Sequence, residues 1–210
     1  MTDLQTIRFS GNGRLFQDIS KNVALIGSRD ASQAALIYAY NIGRYLAIHG
    51  YTVVNGLARG IDAQGCRGAL SANGNVLAFM PCGRDVVYPA SSRDIYNKIL
   101  KQGGCIASMF PDGTRPVKYR FVARDRQQAK FSSAVIVVEC KSGGGTMHTI
   151  ECAAHMGKKI AVVSSAASGN IEAVSKYGGI WVRSYAEMSR FLQASCISNP
   201  AYTPALSPYY

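Results

Sequence analysis

Apolar residues along this chain come in two spacings that alternate from one end to the other. Short unbroken runs rich in β-branched residues stand at 23–27, 51–54, 76–80, 134–138, 160–163 and 180–182. Between them the apolar positions recur every three or four residues. The first pattern is that of strands buried on both faces, the second that of helices with one apolar side. The spacing predicts helices over 33–49, 60–72, 122–131, 146–156, 170–177 and 185–194, and one from Ser91 or Ser92 to about residue 102. Shorter strands are expected at 6–9 and 105–107. The punctuation agrees: Ser32 is placed to cap the first long helix, Gly50 follows it, and Asn73-Gly74, Gly103-Gly104 and Gly157 end later ones. The stretch 110–120, with Pro111, Gly113 and Pro116, reads as a loop.

This alternation argues for an α/β chain: a doubly wound, mostly parallel sheet with helices on both faces. Residues 1–195 read as a single domain. The stretch 196–210, with Pro200, Pro204 and Pro208, reads as a tail outside the core. Ligands of such sheets bind beyond the carboxyl ends of the strands, so several loops should share one rim. The first is the end of Val23-Ala-Leu-Ile-Gly-Ser-Arg29, where a strand runs into a helix N-terminus. Free N–H groups and the helix dipole there favour an anion. Gly27, Ser28 and Arg29 are therefore a candidate phosphate turn, with Ser28 adding a hydroxyl and Arg29 a planar charged fork.

The second rim loop is Gly56-Leu-Ala-Arg-Gly-Ile-Asp62. Arg59 and Gly60 stand where the next helix begins. A cation beside the positive end of a helix is unfavourable unless an anion sits between them. Asp62, in the first turn, suits a helix cap as well as it suits a clamp on Arg29 or Arg59. A third stretch runs from Arg115 to Lys130. It carries Arg115, Lys118, Arg120, Arg124, Arg126 and Lys130 against one acid, Asp125, with Tyr119 and Phe121 interleaved. Cations track phosphates, and aromatic faces stack bases. The fourth is Ser142-Gly-Gly-Gly-Thr146, a glycine loop between a buried strand and a helix that can offer N–H groups to an anion. It lacks the Gly-Lys-Ser/Thr ending of a Walker A loop, and the first turn lacks G-x-G-x-x-G.

Charge sharpens this picture. Lys and Arg number 23 against 12 Asp and Glu, a formal net charge of +11, which fits a polyanionic partner. No apolar run is long enough to span a membrane and no signal peptide is visible, so a cytoplasmic protein is expected. Of the six cysteines, none forms a C-x-x-C pair, and Cys82, Cys105 and Cys140 lie in or beside apolar runs. No disulfide framework follows. Cys152, His148 and His155 share a predicted helix face, but no second ligand cluster supports a metal. Glu139 and Glu151 read as single carboxylates without an obvious partner. No catalytic constellation and no cofactor are implied.

Taken in order, Gly27-Ser28-Arg29, Gly56-Leu-Ala-Arg-Gly-Ile-Asp62, Phe121-x-x-Arg124-x-Arg126 and Ser142-Gly-Gly-Gly-Thr146 resemble the DprA/Smf DNA-processing proteins. Ser10-Gly-Asn12 and Arg84-Asp-Val-Val-Tyr-Pro89 add to the resemblance, which covers roughly residues 5–183. It implies an extended Rossmann-like fold that binds single-stranded DNA without catalysis. It also implies a role in recombination or natural transformation, a RecA-class recombinase as partner, and a homodimer. Carried over, Gly27, Ser28 and Arg29 line a phosphate pocket, with Gly56, Arg59 and Gly60 beside them and Asp62 as structural support. Phe121, Arg124, Arg126 and Lys130 contact the strand, and Ser142, Gly143, Gly144 and Thr146 close the pocket.

The chain departs from the family pattern at one point: Arg124-Asp-Arg126 and Gln127-Gln-Ala-Lys130 stand where Arg-Asn-Arg and Ile-Ile-Ala-Gly are usual. The flanking domains usual in that family have no counterpart in this sequence. The glycine loop resembles that of the lysine-decarboxylase-like (LOG) phosphoribohydrolases as well. Aligned on Thr146, the catalytic glutamate position of that loop is Thr149. This leaves a nucleotide-binding sensor, or a nucleotide-hydrolysing enzyme on the same fold, as the alternative.

Overall fold

The computed structural model describes residues 7–197, and at its centre is β2 (Asn22–Ile26), all five residues of which are buried. Around it lie β1 (Arg8–Gly11), α1 (Gln33–Ile48), β3 (Thr52–Asn55), α2 (Ile61–Ser71), β4 (Val76–Phe79), α3 (Arg93–Lys101) and β5 (Cys105–Ser108). The second half adds α4 (Lys118–Lys130), β6 (Ala134–Val137), α5 (Thr146–His155), β7 (Lys159–Val163), α6 (Ser168–Ser175), β8 (Ile180–Val182) and α7 (Tyr185–Ile197). The strands form one sheet in the order β1-β5-β4-β3-β2-β6-β7-β8. All pair in parallel except β1, which runs antiparallel along β5. The mostly parallel α/β sheet read from the spacing is therefore what forms.

The chain steps outward from β2 through β3 and β4 to β5, then returns to place β6 on the other side of β2. Loops leaving β2 and β6 diverge there, which opens a crevice at the carboxyl edge. Side chains alternate between the two faces. Val23 and Leu25 of β2 join a core with α1, α2, α3 and α7 on one face. Ala24 and Ile26 join α5 and α6 on the other. A third cluster, Phe16, Phe79 and Phe131, packs ring against ring at 5.3 to 6.2 Å under the β5 end. The small residues of α2 let it lie directly on α1: a Cβ on Gly68 would fall 1.9 Å from the Tyr40 carbonyl oxygen.

Several boundaries differ from the periodicity, among them the end of α7, which runs to Ile197 rather than 194 and so into the stretch read as a tail. The first strand is 8–11 rather than 6–9; Thr6 lies outside the described residues, as does the proline-bearing tail 198–210. The helix expected at 122 starts at Lys118, directly after the extended Val117. The helix expected at 170 starts at Ser168. Cys82, Cys105 and Cys140 are buried, as their apolar neighbours suggested. No helix among the described residues is long and apolar enough to cross a membrane.

Candidate functional site

The loop from β3 into α2 is fixed from several sides. Asn55, fully buried at the strand end, accepts the Leu57 N–H through Oδ1 and donates through Nδ2 to the Asp62 carbonyl. Asp62 Oδ2 accepts the N–H groups of Gly56 and Ala58, and the Ser92 hydroxyl donates to the Leu57 carbonyl. Leu57 itself is buried at φ 53°, a backbone conformation costing a branched residue of order 1–3 kcal/mol. Such a turn persists because its surroundings hold it. Asp62 is thus the loop's anchor, the cap-like role its sequence position allowed. Gly60, at φ +76°, packs so close that a Cβ would lie 2.3 Å from the Ser28 carbonyl oxygen. The Ile61 N–H donates to that same oxygen, which ties this loop to the turn after β2.

Gly56 has a different neighbour. A Cβ on it would fall 0.9 Å from Arg124 Nη1, so the guanidinium occupies the space a side chain would take. Arg124, on α4, is only 5% exposed. Among the described residues no acceptor hydrogen-bonds its Nε or Nη1. Nε lies 2.9 Å from Asp125 Oδ1, an ion-pair distance without the alignment of a hydrogen bond. A buried cation with idle donors is costly, so this guanidinium is set to receive an acceptor. Its charge also reaches Asp62. Burial pushes the Asp62 carboxyl up to about 6, against the pull of Arg124 and the two N–H groups it accepts.

Arg124 and Gly56 form the floor of an open pocket of about 270 Å³. Arg29, Ala58, Arg59 and Phe121 of α4 also line it. The remaining wall, from Tyr88 to Ser91, is the loop between β4 and α3. Arg29 lies over the Phe121 ring at 5.2 Å, Arg124 at 5.9 Å, and Tyr88 meets that ring edge-on at 5.6 Å. The aromatic face is therefore bordered by two cations. The β4–α3 loop is held by Arg84, which pairs with Asp112 and donates to the Phe9 carbonyl, and by Asp85, which accepts the Gly113 N–H. Tyr88 stood in the sequence only within the stretch Arg84–Pro89 and Ser91 only as a possible helix start; without charge or glycine signature, neither was marked for the pocket.

Of the residues singled out from sequence, the fold brings Arg29, Gly56, Arg59, Phe121 and Arg124 into this pocket. Gly27, Ser28 and Gly60 lie just beneath, in the stitched turns. The N-terminus of α1, expected to face an anion, is partly occupied from within the protein. Glu139 Oε1 accepts the Ser32 N–H, Oε2 accepts its hydroxyl, and Ser32 Oγ accepts the Ala35 N–H. Glu139 also accepts the Ser28 N–H through its carbonyl. So this carboxylate has partners, and its charge sits at the positive end of α1.

The glycine loop does not line the pocket, contrary to the expectation for Ser142, Gly143, Gly144 and Thr146. The Thr146 hydroxyl donates to the Gly27 carbonyl at 2.9 Å, which braces the first turn, and the Ser142 N–H donates to Ser168 Oγ at the start of α6. Arg126 is exposed on α4 and Lys130 lies over the Phe131 ring, both beyond the pocket lining.

Residues 5–192 match the family model described as DNA recombination-mediator protein A. The chain is 32% identical over 148 residues to protein Smf of Escherichia coli, covering 70% of this chain and 40% of that one. Its fold is similar to that of DNA processing protein A from Helicobacter pylori, a structure concerned with that protein's single-stranded DNA binding mode. The TM-score is 0.80 at 25% identity, with 90% of this chain and 85% of that chain covered. The corresponding protein from Streptococcus pneumoniae gives 0.77 at 26% identity, with 88% and 65% covered. The chain spans less than half the length of the curated relatives it matches.

Proposed function

The chain belongs to the DNA recombination-mediator protein A family, and we propose that it is a non-catalytic protein that grips single-stranded DNA, within the cell, for recombination or DNA uptake. The observation that carries this reading is the Arg124 guanidinium, buried at the pocket floor with two donors idle. A backbone phosphate entering between Arg29 and Arg59 supplies the missing acceptor. The neighbouring base then stacks on Phe121, whose ring already carries cations on its flank. Family membership extends the proposal to a homodimer and to a RecA-class recombinase as recipient of the strand.

A fluorescence-anisotropy titration with a labelled oligo(dT) strand tests this reading. Arg29→Ala and Arg59→Ala should each weaken binding about tenfold without lowering the melting temperature. Each should also flatten the log–log salt dependence by about 0.7 for every phosphate that the variant no longer neutralises. Unchanged affinity in both variants overturns it. The pocket's 270 Å³ also suits a single nucleotide, which keeps a nucleotide sensor as the second reading. A mononucleotide that displaces the oligonucleotide at equal or lower concentration would favour that second reading.

A further inference from the structure

Arg124 and Asp125 are consecutive on α4, and their side chains are 5% and 9% exposed. Consecutive helical residues do not ordinarily face each other. Here the guanidinium lies across Gly56, which brings Nε to 2.9 Å from Asp125 Oδ1. The pair is close in charge but poorly aligned: Nε makes no hydrogen bond. The same oxygen is held by Gln128, whose Nε2 donates to Oδ1 at 3.0 Å. So a buried anion already stands beside the one buried cation of the pocket, and it holds that cation through Coulomb attraction alone.

We propose that Asp125 is the pocket's internal counter-ion, neutralising Arg124 in the empty protein until a strand phosphate replaces it, and so setting how much negative charge a ligand must bring. The proposal rests on the reading of the pocket as a DNA phosphate site. A neutral ligand cannot displace the carboxylate. A phosphodiester can, but it then sits near an anion that has lost its cation. That anion is relieved by taking up a proton, so binding and protonation are linked.

The groups facing this cluster set the direction of the effect. Asp125 is faced by Arg124 and Gln128 on its own helix, by His148 and Cys152 of α5, and by Arg29 from the turn after β2. Asp62, on α2, is faced by Arg124, Asp125 and the Cys66 thiol. Burial raises the carboxyls of both Asp125 and Asp62, and Arg124 opposes the rise in each. A phosphate that takes over Arg124 removes this opposition. Both carboxyls then move further up, and protons are taken up on binding. Affinity should therefore rise as pH falls towards 6.

The test is oligo(dT) anisotropy at pH 7.5 and 5.5, with His148→Gln in every protein so that its imidazole does not contribute. Asp125→Asn keeps an oxygen for Gln128 but removes the charge. It should bind about tenfold tighter than its parent at pH 7.5, as removing an adjacent like charge from a phosphate site allows, and respond less to pH. Equal or weaker binding with the same pH response overturns the proposal. Should the variant fail to fold, calorimetry on its His148→Gln parent decides. Binding heats at pH 6 in two buffers of different ionisation enthalpy should reveal net proton uptake, and none overturns the proposal. If the unsubstituted protein does not bind the strand at all, the DNA reading itself fails, which is a distinct result.

Discussion

Gly56 and Arg124 behave as one structural element although they lie far apart in the chain. The missing side chain of one is the seat of the other's guanidinium. Gly56→Ala should therefore act on the arginine. The methyl group displaces Nη1, and oligonucleotide affinity should fall about tenfold, as for Arg124→Ala. The double variant should be no worse than either single one, since both remove the same interaction. Additive effects in that cycle would separate the two residues. The sequence marked each of them, Gly56 as a strand end and Arg124 as one cation among several. It held no sign that they touch, because that contact depends on how α4 crosses the end of β3. Asp125 was equally visible as a lone acid, and equally silent about the cation it faces. Charged and glycine positions are legible singly; their pairing is a tertiary property.

Elements were more legible than contacts. The β-branched runs and their punctuation located the strands of the parallel sheet, because burial on both faces leaves a continuous apolar signature. The short edge strand β1 was misplaced by two residues, since an edge exposed on one side leaves only a weak pattern. Helix α4 was foreshortened because its first turn is polar and cationic. That turn has no side-chain cap and no acid, and Lys118 and Arg120 stand at its positive end. Val117, the N-cap, is extended at φ −137° and 41% exposed. Val117→Ser supplies the missing acceptor in a backbone already shaped for it. It should stabilise the protein by about 0.5–1 kcal/mol. In a domain of this size that is a rise of about 1–3 °C in melting temperature, read by circular dichroism. An unchanged or lowered value would show that the helix end already finds its acceptors elsewhere. The glycine loop is the opposite case. Its composition suggested a phosphate cradle, yet Thr146 and Ser142 use it to brace the neighbouring loops.

At the scale of the whole molecule, the proposed DNA binding would draw on two attractions that differ in range. The formal charge of +11 acts on any polyanion, duplex or single-stranded, and is screened over about 8 Å at physiological salt. The pocket acts at contact. It is walled by the β4–α3 loop and by α4, and its floor guanidinium is almost wholly buried. A single strand can turn one phosphate and one base into such a recess, whereas a duplex keeps its bases stacked and its backbone on a wide cylinder. The long-range attraction should therefore dominate at low salt and the pocket at high salt. Single- and double-stranded oligonucleotides of equal length should bind within a few-fold of each other at about 20 mM salt, then separate by about tenfold or more at about 150 mM as the nonspecific attraction is screened. Arg29→Ala should collapse that separation while leaving the low-salt affinity for duplex nearly intact. A single-to-double ratio that stays constant across the salt range would mean that charge alone, without the pocket, accounts for binding.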